Sequence, residues 1–215
     1  MGDEEKAPVP APDFSIPKPV IYGVLGFLGV LGLVVLTIFL SLRPSKPSFT
    51  IQDITVSSFN VSTSQPYRLS TNMQVTISSR NTMSRVAIIY REMELYATYR
   101  NEQITFRYSL PLTYQEHNEF VVWSPYLEGH VAAISPISGP VLMQDLNYGA
   151  VLVIIKIEGR LKFRVGGWTS AYYRLYGHCP AMIQLGDMDT KKDFAVSAKE
   201  FKFLLVQNCH VEIAR

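Results

Sequence analysis

The sequence is poor in the residues that most catalytic and metal sites require. Only two cysteines, Cys179 and Cys209, occur in 215 residues, which excludes a multiply bridged scaffold and a four-cysteine zinc site. There is no Cys-x-x-Cys, no His-Glu-x-x-His, no Gly-x-Ser-x-Gly elbow and no glycine-rich phosphate loop ending in Lys-Ser/Thr. The four histidines, His117, His130, His178 and His210, are scattered singly. His178 and His210 each adjoin a cysteine, but strand alternation puts neighbours on opposite faces, so no metal site follows. No pair of carboxylates suggests acid–base chemistry. The chain reads as a non-enzyme without a cofactor. Its formal charge of +2 supplies no overall field for nucleic acid.

Charge is also missing from a long stretch near the N-terminus. From Pro19 to Leu42, "PVIYGVLGFLGVLGLVVLTIFLSL", no residue is charged, and about 20 apolar residues suffice to cross a bilayer as a helix. A secretory signal would have a shorter apolar core behind a basic region, whereas the tail before this run carries Asp3, Glu4, Glu5 and Asp13 against Lys6 and Lys18. A retained transmembrane helix over residues 19–42 is expected. Glycines at 23, 26, 29 and 32 step by three, not the four that line up one helix face, and give little basis for a homo-oligomer paired through the anchor. Residues 1–18, with prolines at 8, 10, 12 and 17, read as a disordered tail. Gly2 lacks the Ser or Thr at position 6 that myristoylation wants, since Lys6 stands there.

Loop charge does not orient the anchor, because Lys6 and Lys18 precede it while Arg43 and Lys46 follow it. The cysteines speak more clearly. Cys179 shares its alternation phase with Ala181 and Ile183, and Cys209 with Val211 and Ile213, so both thiols point with apolar neighbours. They either bridge, closing a loop of about 30 residues for about 3–4 kcal/mol, or stay buried and free. Asn60-Val61-Ser62 is a glycosylation sequon at Asn60. Together these favour a cytosolic N-terminus and an exoplasmic C-terminal domain.

After a linker at 43–48, residues 49–215 are dominated by a period of two. Leu69, Thr71, Met73, Val75 and Ile77 alternate with polar residues. Val86, Ile88 and Tyr90 hold one phase, and Met93, Leu95, Ala97 and Tyr99 hold the other, which implies a bulge near Arg91-Glu92. Ile104, Phe106 and Tyr108 follow in one phase, then "FVVW" at 120–123, "AVLVIIKIE" at 150–158, "RLKFRV" at 160–165, "AMIQL" and "FKFLLVQNCHVEI". Residues 186–200 are charged and read as a loop. Many short strands without long helical periods predict an antiparallel β-sandwich.

The segment Gly159–Pro180 interleaves Arg160, Lys162, Arg164 and Arg174 with Phe163, Trp168, Tyr172, Tyr173 and Tyr176. Such a mixture suits either a base-stacking platform or a strand with one wet face. Alternation turns Leu161, Phe163 and Val165 inward and Arg160, Lys162 and Arg164 outward. The aromatics are then expected mostly on the buried side or the next strand, and the three cations form a candidate basic interaction face. No nucleic-acid partner is expected.

The stretches "LPLTYQEHNEFVVWSPYLEGH" and "YGAVLVIIKIEGRLKFRVGGWTSAYYRLYGHCP" resemble the plant late embryogenesis abundant group two family, and within it the membrane-anchored branch named for harpin-induced and non-race-specific disease-resistance proteins. Tyr114-Gln115 matches the family's Tyr-Gln element, Val165-Gly166-x-Trp168 its Val-Gly-x-Trp element, and Cys179 its cysteine before the closing strands. The chain departs where the family has Asn-Pro-Asn, keeping Asn81 but carrying Thr82 and Met83. An Asn-Gly-Asp triplet found in some relatives is replaced by Leu185-Gly186-Asp187. The resemblance implies an immunoglobulin- or fibronectin-like sandwich at the plasma membrane, associated with pathogen defence and sometimes abiotic stress, and no catalytic residues. Candidate partners are an acidic cell-wall polysaccharide or a membrane receptor. The alternative is a lipid-binding stress protein holding an acyl chain inside the sandwich.

Overall fold

The computed structural model describes residues 17–41, 45–62, 65–184, 195–197 and 201–214. It falls into two units, Met1–Arg43 and Pro44–Arg215. The expected tail at 1–18, apart from its last two residues, and most of the charged segment at 186–200 lie outside the described residues.

In the first unit a single helix, α1, runs Lys18–Ser41 over 24 residues, about 36 Å at 1.5 Å per residue. Its described side chains are all exposed. Among the described residues it is the one helix long and apolar enough to cross a membrane. The hydroxyl of Thr37 donates to the Val34 carbonyl at 2.8 Å, so this polar group is satisfied within the helix, as a bilayer requires.

The second unit is an antiparallel β-sandwich. Its strands are β1 (Ser48–Ser62), β2 (Arg68–Arg80), β3 (Ala87–Tyr99), β4 (Glu102–Gln103), β5 (Tyr108–Ser109), β6 (Thr113–Gln115), β7 (Phe120–Trp123) and β8 (Tyr126–Ala133). A short helix, α2 (Ser138–Asn147), precedes β9 (Ala150–Val165), β10 (Trp168–Thr169), β11 (Tyr173–Gln184), β12 (Ala195–Ser197), β13 (Phe201–Asn208) and β14 (His210–Ala214). The first sheet has β1 and β2 at its centre, with β12 and β13 beside β1 and β7 and β8 beside β2. The second runs β14-β11-β9-β3, with β4, β5 and β6 on the far side of β3. Setting the short strands aside, β1, β2, β8 and β13 share one sheet and β3, β9 and β11 the other, so the chain passes back and forth between the two sheets as in antiparallel sandwiches.

Alternation dictates the packing. The inward residues of β2 (Leu69, Met73, Val75, Ile77) and of β9 (Val151, Val153, Ile155, Leu161) are no more than 1% exposed. Phe49 from the first sheet meets Tyr90 from the second edge-on at 6.0 Å, and Trp123 packs against both rings. The phase change expected at Arg91-Glu92 is a bulge: β3 stays continuous, but its register against β9 shifts between Arg91 and Glu94, with Glu92 at φ 49°. Gly159 makes the bulge tolerable. A Cβ there would strike the Met93 side chain and approach the Glu92 carbonyl, so β9 passes uninterrupted where two strands had been expected.

Other local readings need correction. Ile104 is buried, but Phe106 and Tyr108 are exposed, because the chain between β4 and β5 leaves the sheet instead of continuing its alternation. α2 was not anticipated; it is short, and its inward side rests on Leu142 and Leu146 one turn apart. The closing segment "FKFLLVQNCHVEI" is two strands on different sheets, β13 on β1 and β14 on β11.

Candidate interaction face

Cys209 sits where the chain crosses from β13 to β14, its N–H bonded to the Phe49 carbonyl at 2.9 Å, and it is disulfide-bonded to Cys179 across 30 residues of sequence. Cys179 lies on central β11, fully buried. The bridge therefore pins the sheet-changing point of the C-terminal segment to the middle of the second sheet. Asn60 lies within β1, half-buried on its outward face, with Ser70 opposite on one side and Ser197 on the other. The three expected features are thus separate: the bridge at a crossing, the sequon on the first sheet and the basic residues on the second.

Family-motif residues prove to be internal. Gln115 is completely buried; its amide donates to the Ser79 and Glu119 carbonyls, each at 2.8 Å, and its oxygen accepts from the Tyr90 hydroxyl at 2.8 Å. Burial drives the Tyr90 phenol well above its ordinary pKa. Asn81 is equally buried. Its amide donates to the Val86 and Glu116 carbonyls at 2.8 and 2.9 Å, and its oxygen accepts from Met83 N–H at 3.0 Å. Asn81 therefore holds its loop by its own side chain although Thr82 and Met83 depart from the family triplet. Gly166, at φ 56°, turns β9 into β10, which explains a glycine in the Val-Gly-x-Trp element. Trp168 emerges from that hairpin 65% exposed.

On β9, Leu161 and Phe163 are buried, Arg160 and Arg164 are exposed and Lys162 is half-buried, as alternation demands. Antiparallel register then adds cations that the strand alone did not reveal. Arg91 on β3 and Arg174 on β11 both stand directly opposite Arg160. Three guanidinium side chains thus lie in one row across the sheet, with Lys162 and Arg164 extending from its centre along β9.

The aromatics do not all retreat to the interior. Tyr172 is 41% exposed; the Lys162 ammonium lies 4.0 Å from its ring centroid, and its hydroxyl accepts from Arg91 at 3.2 Å. Arg164 lies 5.9 Å from the Tyr114 ring. Tyr172, next to the Tyr173 that pairs with Leu161, is brought beside Lys162 by the same register, while Phe163 is buried and Trp168, Tyr173 and Tyr176 lie on the following strands, as expected for most of these aromatics. An open depression of about 380 Å³ is lined by Glu92, Glu94, Glu158, Gly159, Arg160, Arg174 and Tyr176.

One step along the strands two carboxylates share one guanidinium. Glu94 and Glu158 oppose one another across β3 and β9, and Arg107 donates to both at 2.9 and 2.8 Å while lying 4.3 Å from the Tyr96 ring. The Tyr96 hydroxyl donates to Glu158 at 2.5 Å. Burial, reinforced by that carboxylate, pushes Tyr96 up to about 12. For Glu158, burial acts upward, but the bonds from Tyr96 and Arg107 prevail and hold it below the usual carboxylate range. In the arginine row only Arg160 meets an acid, Glu92 at 3.3 Å. Arg174 has no ion pair among the described residues. The same register sets His178 opposite His210 on the outer face, yet among the described residues no group of three or more His, Cys, Asp or Glu side chains is arranged to hold a metal.

The chain is 38% identical over 190 residues to NDR1/HIN1-like protein 12 of Arabidopsis thaliana, covering 88% of this chain and 89% of that protein. It belongs to the NDR1/HIN1-like family. Family relatives also include NDR1/HIN1-like protein 1, 40% identical with 83% of this chain and 85% of that protein covered, and NDR1/HIN1-like protein 26, 30% identical with 71% and 72% covered, both from Arabidopsis thaliana. No protein-family model and no solved structure matches the chain. Nothing in the relatives' names assigns a ligand to the arginine row.

Proposed function

We propose that this NDR1/HIN1-like chain is a single-pass plasma-membrane protein with a cytosolic tail and an extracellular sandwich, acting as a non-catalytic interaction module in plant defence or in contact between wall and membrane. The same reading places it in the late embryogenesis abundant group two family and makes Asn60 a glycosylation site. The observation that carries the topology is the Cys179–Cys209 disulfide, since such bridges persist in oxidising compartments and are rare in the cytosol. Family membership and a helix of spanning length support it. We place the interaction on the outer surface and not in a lipid-holding interior, because the space between the sheets is occupied by the side chains of one apolar cluster.

Protease treatment of intact cells expressing the full chain, with and without enzymatic deglycosylation, tests this. The sandwich should be cleaved from outside, and its mobility should change on deglycosylation in the native chain but not in Asn60→Gln. A sandwich shielded until the cells are permeabilised would overturn the topology.

A further inference from the structure

Arg91, Arg160 and Arg174 form a like-charge row in strict cross-strand register. Neighbouring strands lie about 4.8 Å apart, and like charges directly opposite are destabilising. The fold neutralises its acids on this face with Arg107 but leaves the arginines with Glu92 alone. A second open depression, about 420 Å³, is lined by Arg85, Tyr114, Glu116, His117, Arg164 and their neighbours. Lys162 stands on β9 between Arg160 of the first depression and Arg164 of the second, so the two are linked by one line of cations.

We propose that this face is a binding site for a linear polymer of sugar acids, a polyuronate, which lies along the arginine row. This deepens the extracellular reading above and rests on it for access to such a polymer. The chemistry is mixed in a way that suits a sugar acid. Arginines present paired N–H donors to carboxylates. Glu92, at the rim of the same depression, accepts from hydroxyls, which a phosphodiester backbone does not supply in comparable number. Tyr172 and Trp168 offer exposed rings to the apolar faces of pyranoses, beside cations already packed on tyrosine. A polymer carrying one carboxylate per sugar delivers charge at short regular intervals, and a guanidinium row at strand spacing receives it.

The test uses the full-length protein in detergent micelles at low salt, with oligogalacturonides of defined length as the probe. Neutral dextran, a single-stranded oligonucleotide and phosphatidylserine-containing vesicles are the comparators. Oligogalacturonide should bind, weaken as salt rises, and bind roughly tenfold or more weakly to Arg91→Gln/Arg174→Gln, the loss of two charge-assisted contacts. Arg68→Gln, on the other sheet, should bind as the native protein does, and the double variant's thermal midpoint should not fall. Glu92→Gln should weaken the sugar acid relative to the oligonucleotide. Equal binding of oligonucleotide or vesicles with the same arginine dependence would overturn the sugar-acid assignment. No binding, or binding indifferent to the double variant, would overturn the site. A sandwich shielded from external protease that still binds in micelles would remove the extracellular reading and leave the site standing.

Discussion

Asn81, in the loop after β2, and Gln115, on β6, are buried with their side-chain nitrogens and oxygens all engaged by the backbone or by Tyr90, while Arg174 stands in a row of like charges with no acid partner among the described residues. The first ensemble contains residues by which the family resemblance is recognised. The second overlaps the matched stretch too, since Arg160 and Arg174 fall within it and only Arg91 lies outside. Buried polar atoms must be satisfied internally or the fold loses the whole desolvation cost, so motif residues of this kind report architecture. An exposed cation such as Arg174 is under no such demand, and standing in a row of like charges costs a little through repulsion, so the proposed polyuronate site is the reading that gives the row a use.

The largest effect is expected at Asn81. Asn81→Ala leaves two carbonyls and one N–H without partners, and a loss of about 3–5 kcal/mol is expected in chemical unfolding of the full chain. A loss under about 1 kcal/mol would show that the loop finds its own partners and that the residue is not architectural. Removing the bridge through Cys179→Ser with Cys209→Ser should lower stability by about 3–4 kcal/mol on loop-closure grounds, measured the same way, without changing polyuronate affinity while the chain remains folded.

Glu102 tests the middle ground between a buried network and a free surface. It accepts from the Ser135 and Ser138 hydroxyls at 2.6 Å each and from Ser135 N–H at 2.9 Å, tying β4 to the start of α2. Burial acts to raise its pKa, but these bonds outweigh it and hold the folded carboxyl below the ordinary value. A depressed folded pKa stabilises the fold fully above the unfolded value, and that stability is lost as pH falls through the folded one. Glu102→Gln should therefore cost about 1–3 kcal/mol at neutral pH, and the difference from the native chain should shrink in acid. A gap constant with pH would mean that charge on Glu102 is irrelevant. The smallest effect belongs to the arginines. Arg91→Gln with Arg174→Gln should change stability by no more than about 0.5 kcal/mol, or raise it slightly, and a clear destabilisation would make the row structural after all.

Much of this molecule is written locally. The uncharged run at 19–42, the inward phase of Leu69 to Ile77, the phase switch at Arg91-Glu92 and the shared apolar phase of the two cysteines each follow from periods of a few residues, because side-chain direction in a strand repeats every second position. The outward turn of Arg160, Lys162 and Arg164 was legible for the same reason. The amino-acid order by itself therefore determined the secondary structure type, the core and the two faces of most long strands. The tertiary structure decided which face residues become neighbours. Arg91 lies far from Arg160 in sequence and Arg174 in the same short segment, yet both meet it only through the pairing of β3, β9 and β11. That register depends on a bulge, on Gly159 and on non-local hydrogen bonds, and a slip of one residue would turn every side chain over. The same holds for Tyr172 meeting Lys162 across the strands, for α2, whose short apolar face gains meaning only against the core, and for the crossing at Cys209, where one apolar run serves two sheets.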